Sequence, residues 1–389
     1  MEKDLEKLLD ILKSLVGFRS ITPNSNGAIE YIAKFLAEIG FVCDIQIFGE
    51  KEQQTMNLYA RYGSSHPNIC FAGHIDVVPA MCENLWNYDP FELKIIEDRV
   101  YGRGAVDMKG AVACSLFAAF KYLKINPNPK GSISFLLTSD EEGEANYGTK
   151  LMLEHLAFKG ERIDFTILGE PTTRDIVGDT IKIGRRGSIN FALSVKGKQG
   201  HVAYPNKAIN PIDTTVKIAT DLINMDFDNG SEFFEKTNLE ITSFDVGNNV
   251  SNIIPELATI KFNVRFNDLH NSDSVVRKIM ELITKYENSA DKKIAFDLKY
   301  NSSSESFVQN YSSKMQDFTK IVEKICSIKP SIETNGGTSD ARFIHKYSEI
   351  VEFGLSCDQA HKIDEYTKII DLQTLYNVYY TSLVEFLKG

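Results

Sequence analysis

The sequence predicts an α/β fold: a large α/β domain on a largely parallel sheet, interrupted by a smaller ferredoxin-like α+β insertion. Three observations predict it. Strands alternate with helices along the first half of the chain, the mark of a parallel sheet with helical crossovers. After Gly187 the order becomes β-α-β-β-α-β, the split unit of ferredoxin-like folds. At 389 residues the chain exceeds one ordinary hydrophobic core. The expected large domain comprises residues 1–186 and 303–389, and the insertion comprises residues 187–302. The serine run at Ser302, Ser303 and Ser304 marks the return.

Each element has a local cause. Residues 3–16 form an amphipathic helix, with Leu5, Leu8, Leu9, Leu12 and Leu15 on one face. A second helix, 28–39, stops at Gly40. Residues 41–48, 57–62 and 68–75 read as strands. Residues 110–123 (GAVACSLFAAFKYL) form an almost wholly apolar helix, which must be buried. Strands at 132–138 and 164–169 flank a helix near 148–156. In the insertion, the strand 189–196 precedes the helix 211–223. Strands 239–246 and 257–266 alternate clearly, and the helix 274–286 leads into a strand at 293–300. The large domain resumes with a helix over 307–325, a short strand at 350–353 and a closing helix at 372–387.

Composition narrows the function classes. Hydrophobic residues make up 43% of the chain and charged residues 25%, ordinary for a soluble globular protein. The net charge is -10 and the pI about 5.3, which argues against nucleic acid as a partner. No apolar run is long enough to span a bilayer, so no membrane partner is expected. The first residues, MEKDLEKLLDILKSLVGF, lack the three parts of a signal peptide, and a cytoplasmic protein is expected. The six cysteines include no C-x-x-C and read as buried thiols in a reducing compartment.

Five stretches carry metal-ligand residue types at strand ends or in loops: His74 and Asp76 in FAGHID, Asp107 in YGRGAVDMKG, Glu141 and Glu142 in TSDEEGEANYG, Glu170 in ILGEPT, and His361 in CDQAHKIDE. In a strand, His74 and Asp76 share a face, and an imidazole beside a carboxylate is the usual pairing at a metal. Each residue also has a plain alternative. Asp107 could cap the helix that follows it, Glu141 and Glu142 could be a solvated turn, Glu170 before Pro171 could be a turn residue, and His361 could be a surface histidine. Ligands bind outside the carboxyl ends of parallel strands. Two imidazoles and several carboxylates converging there suit a borderline metal such as zinc.

Taken together, these stretches resemble the M20 family of di-zinc amidohydrolases. The matching residues are FAGHIDVVPA, Trp86 with the downstream DPF, GRGAVDMKGAVA, TSDEEGEANYGT, LGEPT, GRRGSINFALSVKGKQGHVAYP, NIIP, NGGTSDARF and the final EFG with His361. The resemblance implies a zinc-exopeptidase-like catalytic domain with an inserted dimerisation (lid) domain. It implies two Zn²⁺ per subunit, with Co²⁺ as an alternative in the second site. Asp107 would bridge the ions; His74 and Glu170 would complete one, and Glu142 and His361 the other. Asp76 would brace His74, and Glu141 would be the general base.

The resemblance also implies a homodimer through the inserted domain. His201 would reach the partner's site and steady the oxyanion, assisted by Asn252, with Tyr204 nearby. The implied substrate is a small anionic amide. RRGS, GKQGHVAYP and NGGTSDARF lean toward the branch that cleaves N-succinyl-LL-2,6-diaminopimelate, a step of lysine and diaminopimelate biosynthesis. Its three carboxylates call for cations, here Arg185, Arg265 and Arg342, with Ser188, Gly337 and Thr338 adding hydrogen bonds. The competing expectation is a family member acting on N-acetylornithine or on peptides. One departure bears on this: Cys357 stands four residues before His361, where the succinyl-amide branch carries an asparagine.

Overall fold

The structure is a computed structural model that describes residues 2–51, 53–289 and 294–388. It divides into two units: Met1–Ile183 with Gln309–Glu333 and Ser339–Gly389, and Gly184–Val308 with Thr334–Thr338.

The first unit is built on an eight-stranded mixed sheet. In spatial order its strands are Val42–Glu50, Gln53–Tyr62, Ser132–Thr138, Asn68–His74, Phe165–Leu168, Glu349–Glu352, Thr180–Lys182 and Ser331–Glu333. The middle strands, from Ser132–Thr138 to Glu349–Glu352, run parallel, while the first two pair antiparallel. Every residue of Asn68–His74 and Ser132–Thr138 is buried, as it must be where helices cover both faces. The apolar helix predicted at 110–123 is observed as Lys109–Ile125 and is buried on nearly every side. Glu2–Gly17 and Ile369–Phe386 pack against it.

The second unit is a four-stranded antiparallel sheet, ordered Asn238–Asp245, Leu257–Phe266, Gly187–Lys196, Ala295–Ser304. In order of occurrence this is 2-3-1-4, the ferredoxin-like arrangement. The period-2 pattern explains its single core face. Ile189, Phe191, Leu193 and Val195 join Ile260, Phe262, Val264 and Phe266 beneath the helices Pro211–Ile223 and Ser272–Ser289. Each fully buried side chain of this kind contributes about 1.5–3 kcal/mol.

Two expectations are corrected. Residues 307–325 are not one helix: Phe307–Val308 pairs antiparallel with Gly184–Arg185, and the helix is Ser313–Cys326. Ser312 is its N-cap, its hydroxyl accepting from Met315 N. The second unit also takes in Thr334–Thr338, a stretch the sequence reading left with the large domain. Thr334 donates its hydroxyl to the carbonyl of Phe233, and Arg185 donates to the carbonyls of Asn335 and Gly337. The expected strand at 293–300 begins at Lys293, outside the described residues.

Candidate metal centre

The site lies in the first unit, at the carboxyl ends of its parallel strands. His74 is the last residue of its strand and pairs with Thr138. Glu141 and Glu142 follow the end of Ser132–Thr138, and Glu170 follows Phe165–Leu168. Asp107 comes from the turn before Lys109–Ile125. It does not cap that helix, whose N-cap is Met108 with no side-chain cap. His361 sits on the loop after Glu349–Glu352, with φ 64, a left-handed conformation unusual for a residue with a side chain.

These residues converge on Asp107. Its Oδ1 lies 3.2 Å from His74 Nε2, and its Oδ2 lies 3.4 Å from His361 Nε2. His74 Nε2 is also 3.9 Å from Glu170 Oε1 and 4.0 Å from Glu141 Oε2. His361 Nε2 is 2.8 Å from Glu142 Oε1. Two ligand triads result, His74–Asp107–Glu170 and Asp107–Glu142–His361, each with its ligand atoms within 4.8 Å of one another. Asp107 belongs to both. Imidazole nitrogens and carboxylate oxygens in threes, sharing one carboxylate, are a donor set that fits two zinc-class cations. The crowding of negative charge points the same way. Burial raises the Glu141 pKa well above the ordinary value, and the neighbouring Glu170 adds to it.

The imidazoles respond to the same carboxylates. Burial alone would lower the His74 pKa, but Asp107, Asp76 and Glu141 outweigh it and the net direction is up. His361 is pushed up to about 10 by its hydrogen bonds to Asp107 and Glu142. Burial works against the Asp107 carboxylate, yet His361 and His74 hold its pKa well below the usual range. A cation displacing those protons would take over their charge-balancing role, with the neutral imidazoles as its ligands.

Asp76 takes a place that spacing alone did not indicate. His74 Nδ1 is 2.9 Å from the main-chain oxygen of Asp76 and 3.6 Å from its Oδ1. The wholly buried carboxylate accepts the N–H of Glu141 at 3.1 Å and of Glu142 at 3.1 Å. It therefore orients Glu141 and Glu142 together, while the peptide carbonyl aims the His74 imidazole.

The other candidates, Arg342 excepted, belong to the second unit. Gly200–His201 pairs with Ile253–Ile254, and Val202 N donates to Asn252 O at 3.1 Å, which brings His201 and Asn252 together. The Tyr204 ring is 5.8 Å from that of His201. Ser188 and Arg265 are register partners. Arg265 Nη1 is buried and has no hydrogen-bond partner among the described residues; burial and the adjacent Arg186 lower its pKa. Arg186 was not singled out from sequence, because nothing in a basic pair says which member faces a second arginine. Arg185 is buried and holds the Asn335 and Gly337 carbonyls, at 3.4 and 3.0 Å. Gly337 is exposed and Thr338 half-buried. In the first unit, Arg342 lies 4.6 Å over the Phe343 ring, with a buried Nε that has no hydrogen-bond partner among the described residues.

Glu365 also escaped the sequence reading. It is completely buried and gathers four donors from the turn that carries Asp107. In the sequence it is one more acid in a charged loop.

Residues 70–385 match the family described as Peptidase family M20/M25/M40. A succinyl-diaminopimelate desuccinylase of Rickettsia bellii is 56% identical over 375 residues, which cover 96% of this chain and 95% of that protein. The one from Rickettsia felis is 53% identical over 381 residues, 97% of this chain and 100% of that protein. A solved M20 family metallo-carboxypeptidase from Sulfolobus solfataricus has the same fold, with a TM-score of 0.76 at 19% identity over 97% of this chain and 98% of that one. With the family match spanning most of its length and these relatives nearly all of it, the chain belongs to the M20/M25/M40 peptidase family.

Proposed function

We propose that this chain is a cytoplasmic, homodimeric di-zinc amidohydrolase that cleaves N-succinyl-LL-2,6-diaminopimelate to succinate and LL-2,6-diaminopimelate, supplying lysine and diaminopimelate biosynthesis. The substrate assignment draws on the desuccinylase relatives. The observation that carries the chemistry is Asp107, with one oxygen 3.2 Å from His74 and the other 3.4 Å from His361. His74 and Glu170 would hold one Zn²⁺ and Glu142 and His361 the other, with Co²⁺ an alternative at the second position. Among the described residues no helix is long and apolar enough to cross a membrane.

Bound zinc supplies Lewis-acid polarisation of the amide carbonyl and makes water acidic enough to attack near neutral pH. Glu141 takes the proton of the attacking water and returns it to the leaving amine nitrogen. Its environment, buried and crowded by Glu170, favours a carboxyl that can hold that proton. Asp76 keeps Glu141 and Glu142 at fixed angles through their N–H groups, so one faces water while the other ligates. His201 of one subunit would steady the oxyanion in the other, with Asn252 beside it and Tyr204 packed on its ring. Arg265 and Arg342, each with a buried N–H lacking a hydrogen-bond partner among the described residues, suit substrate carboxylates. Ser188, Gly337 and Thr338 would add hydrogen bonds to the substrate. Arg185 supports this by holding the loop that carries Gly337.

The second reading, an N-acetylornithine deacetylase or another family amidohydrolase or peptidase, is favoured by Cys357. This residue is exposed and opens the short turn Cys357–Gln359 just before His361. One assay separates the two. Hydrolysis of N-succinyl-LL-diaminopimelate and N-acetylornithine is compared with and without chelator. The proposal expects faster turnover of the succinyl substrate, abolished by chelator and restored by zinc. Preference for the acetyl substrate would move the chain to the second reading.

A further inference from the structure

The Glu365 carboxylate is 0% exposed and sits beneath the turn Arg103–Asp107. Its Oε2 accepts from Arg103 Nη1 at 2.7 Å and from Gly104 N at 2.9 Å. Its Oε1 accepts from Val106 N at 2.8 Å and Asp107 N at 3.2 Å. Arg103 is itself held, its guanidinium 5.1 Å from the Trp86 ring. A buried carboxylate is costly unless charge and hydrogen bonds satisfy it, and here both do.

Glu365 also ends the segment that begins at His361. Within those five residues His361 and Asp364 have φ of 64 and 56, left-handed values that side chains disfavour. Such a segment needs anchors. Asp364 supplies one, accepting Asn87 N at 2.8 Å and Asn87 Nδ2 at 2.6 Å. Glu365 supplies the other. One carboxylate thus ties the turn that presents Asp107 to the loop that presents His361.

We propose that Glu365 is the positioning residue of the metal centre, fixing Asp107 through its own N–H and those of its neighbours and fixing His361 through a four-residue tether. It touches neither substrate nor metal. It does for Asp107 what Asp76 does for Glu141 and Glu142. The inference rests on Asp107 and His361 being metal ligands. Because Asp107 belongs to both triads, loosening it weakens both positions, not one.

The test uses the full chain and Zn²⁺. Stoichiometry and affinity are measured by competition with a chromogenic chelator, and the metal-free proteins are unfolded by urea in parallel. The variants are Glu365→Gln, which turns an amide NH₂ toward backbone donors, and Glu365→Asp, which keeps the charge but shortens the reach. Leu8→Ala, in the buried face of the first helix, serves as a control of reduced stability. Wild type should bind two Zn²⁺. Glu365→Gln should weaken both by roughly 10–100-fold, the usual cost of losing a ligand's support, with Glu365→Asp between. Leu8→Ala should keep wild-type affinity at comparable metal-free stability. Wild-type zinc affinity in both Glu365 variants overturns the inference. So does a loss matched by Leu8→Ala, or failure of both Glu365 variants to fold, since each assigns Glu365 a purely structural role. If wild type binds no zinc, the metal-centre reading itself fails and takes the inference with it.

Discussion

Asp107 shows how much one side chain decides: its two oxygens face two imidazoles, 3.2 and 3.4 Å away, and no other residue joins both triads. Glu141 stands beside this arrangement without belonging to either triad, 4.0 Å from His74 Nε2. Removing its acid–base chemistry should therefore spare the metal. Glu141→Gln is expected to retain wild-type zinc content while kcat falls by roughly 10²–10⁴-fold, the usual worth of a positioned general base. Metal analysis and steady-state kinetics on one preparation check it; wild-type turnover would remove Glu141 from the mechanism. The residue types of the site were legible in the sequence because metals restrict their ligands to a few side chains. Their partners were not. Nothing in H-x-D says that His74 Nδ1 meets the Asp76 carbonyl while the carboxylate turns to two N–H groups. Likewise RRG does not reveal that Arg185 is spent on the Asn335 and Gly337 carbonyls.

The strands explain why distant residues meet. Parallel strands end on the same side, so His74, the Glu141–Glu142 pair and Glu170 arrive together from three separate stretches. Periodicity made these elements legible, since buried strands and the apolar helix leave strong patterns. It failed at 307–325, where two residues of strand precede a helix capped at Ser312 and an apolar Phe307–Val308 pair reads equally well as helix. It also missed three-residue strands such as Thr180–Lys182, too short to show a period. Close packing at the strand ends leads to a prediction. A Cβ on Gly354 would lie 2.4 Å from Glu170 O and 2.5 Å from Gly169 O. Both are backbone atoms and cannot swing aside. Gly354→Ala should cost about 1–3 kcal/mol of stability and should also displace Glu170, weakening zinc binding. Gly17→Ala, with nothing within 4 Å of its Cβ, should not destabilise and could raise stability by up to about 1 kcal/mol. Urea unfolding and zinc titration of the two variants check this, and wild-type behaviour of Gly354→Ala would mean the Glu170 backbone is not under this constraint.

At the scale of the molecule, the proposed activity divides its residues between two units of one chain and, we propose, between two copies of it. Glu141 lies in the first unit and His201 in the second. His201 is exposed, and its Nδ1 accepts the nearby Ala203 N–H, at 3.1 Å; among the described residues its Nε2 makes no hydrogen bond and can meet an oxyanion. A residue needed at a partner's site has a consequence that one needed at its own site lacks. Glu141→Gln and His201→Ala homodimers should each be inactive with their zinc intact. In a hybrid of one subunit of each, the His201→Ala subunit keeps Glu141 and receives an intact histidine from its partner. The other site has neither. A purified hybrid, made by co-expression with two different tags, should therefore recover about half the wild-type activity per dimer, one working site of two. If His201 serves its own subunit, each site in the hybrid still lacks one group and no activity returns. Recovery cannot come from subunit exchange back to parents, because both parents are dead. The readout thus depends on which copy's histidine reaches which copy's glutamate, and an inactive hybrid of normal zinc content would confine His201 to its own chain.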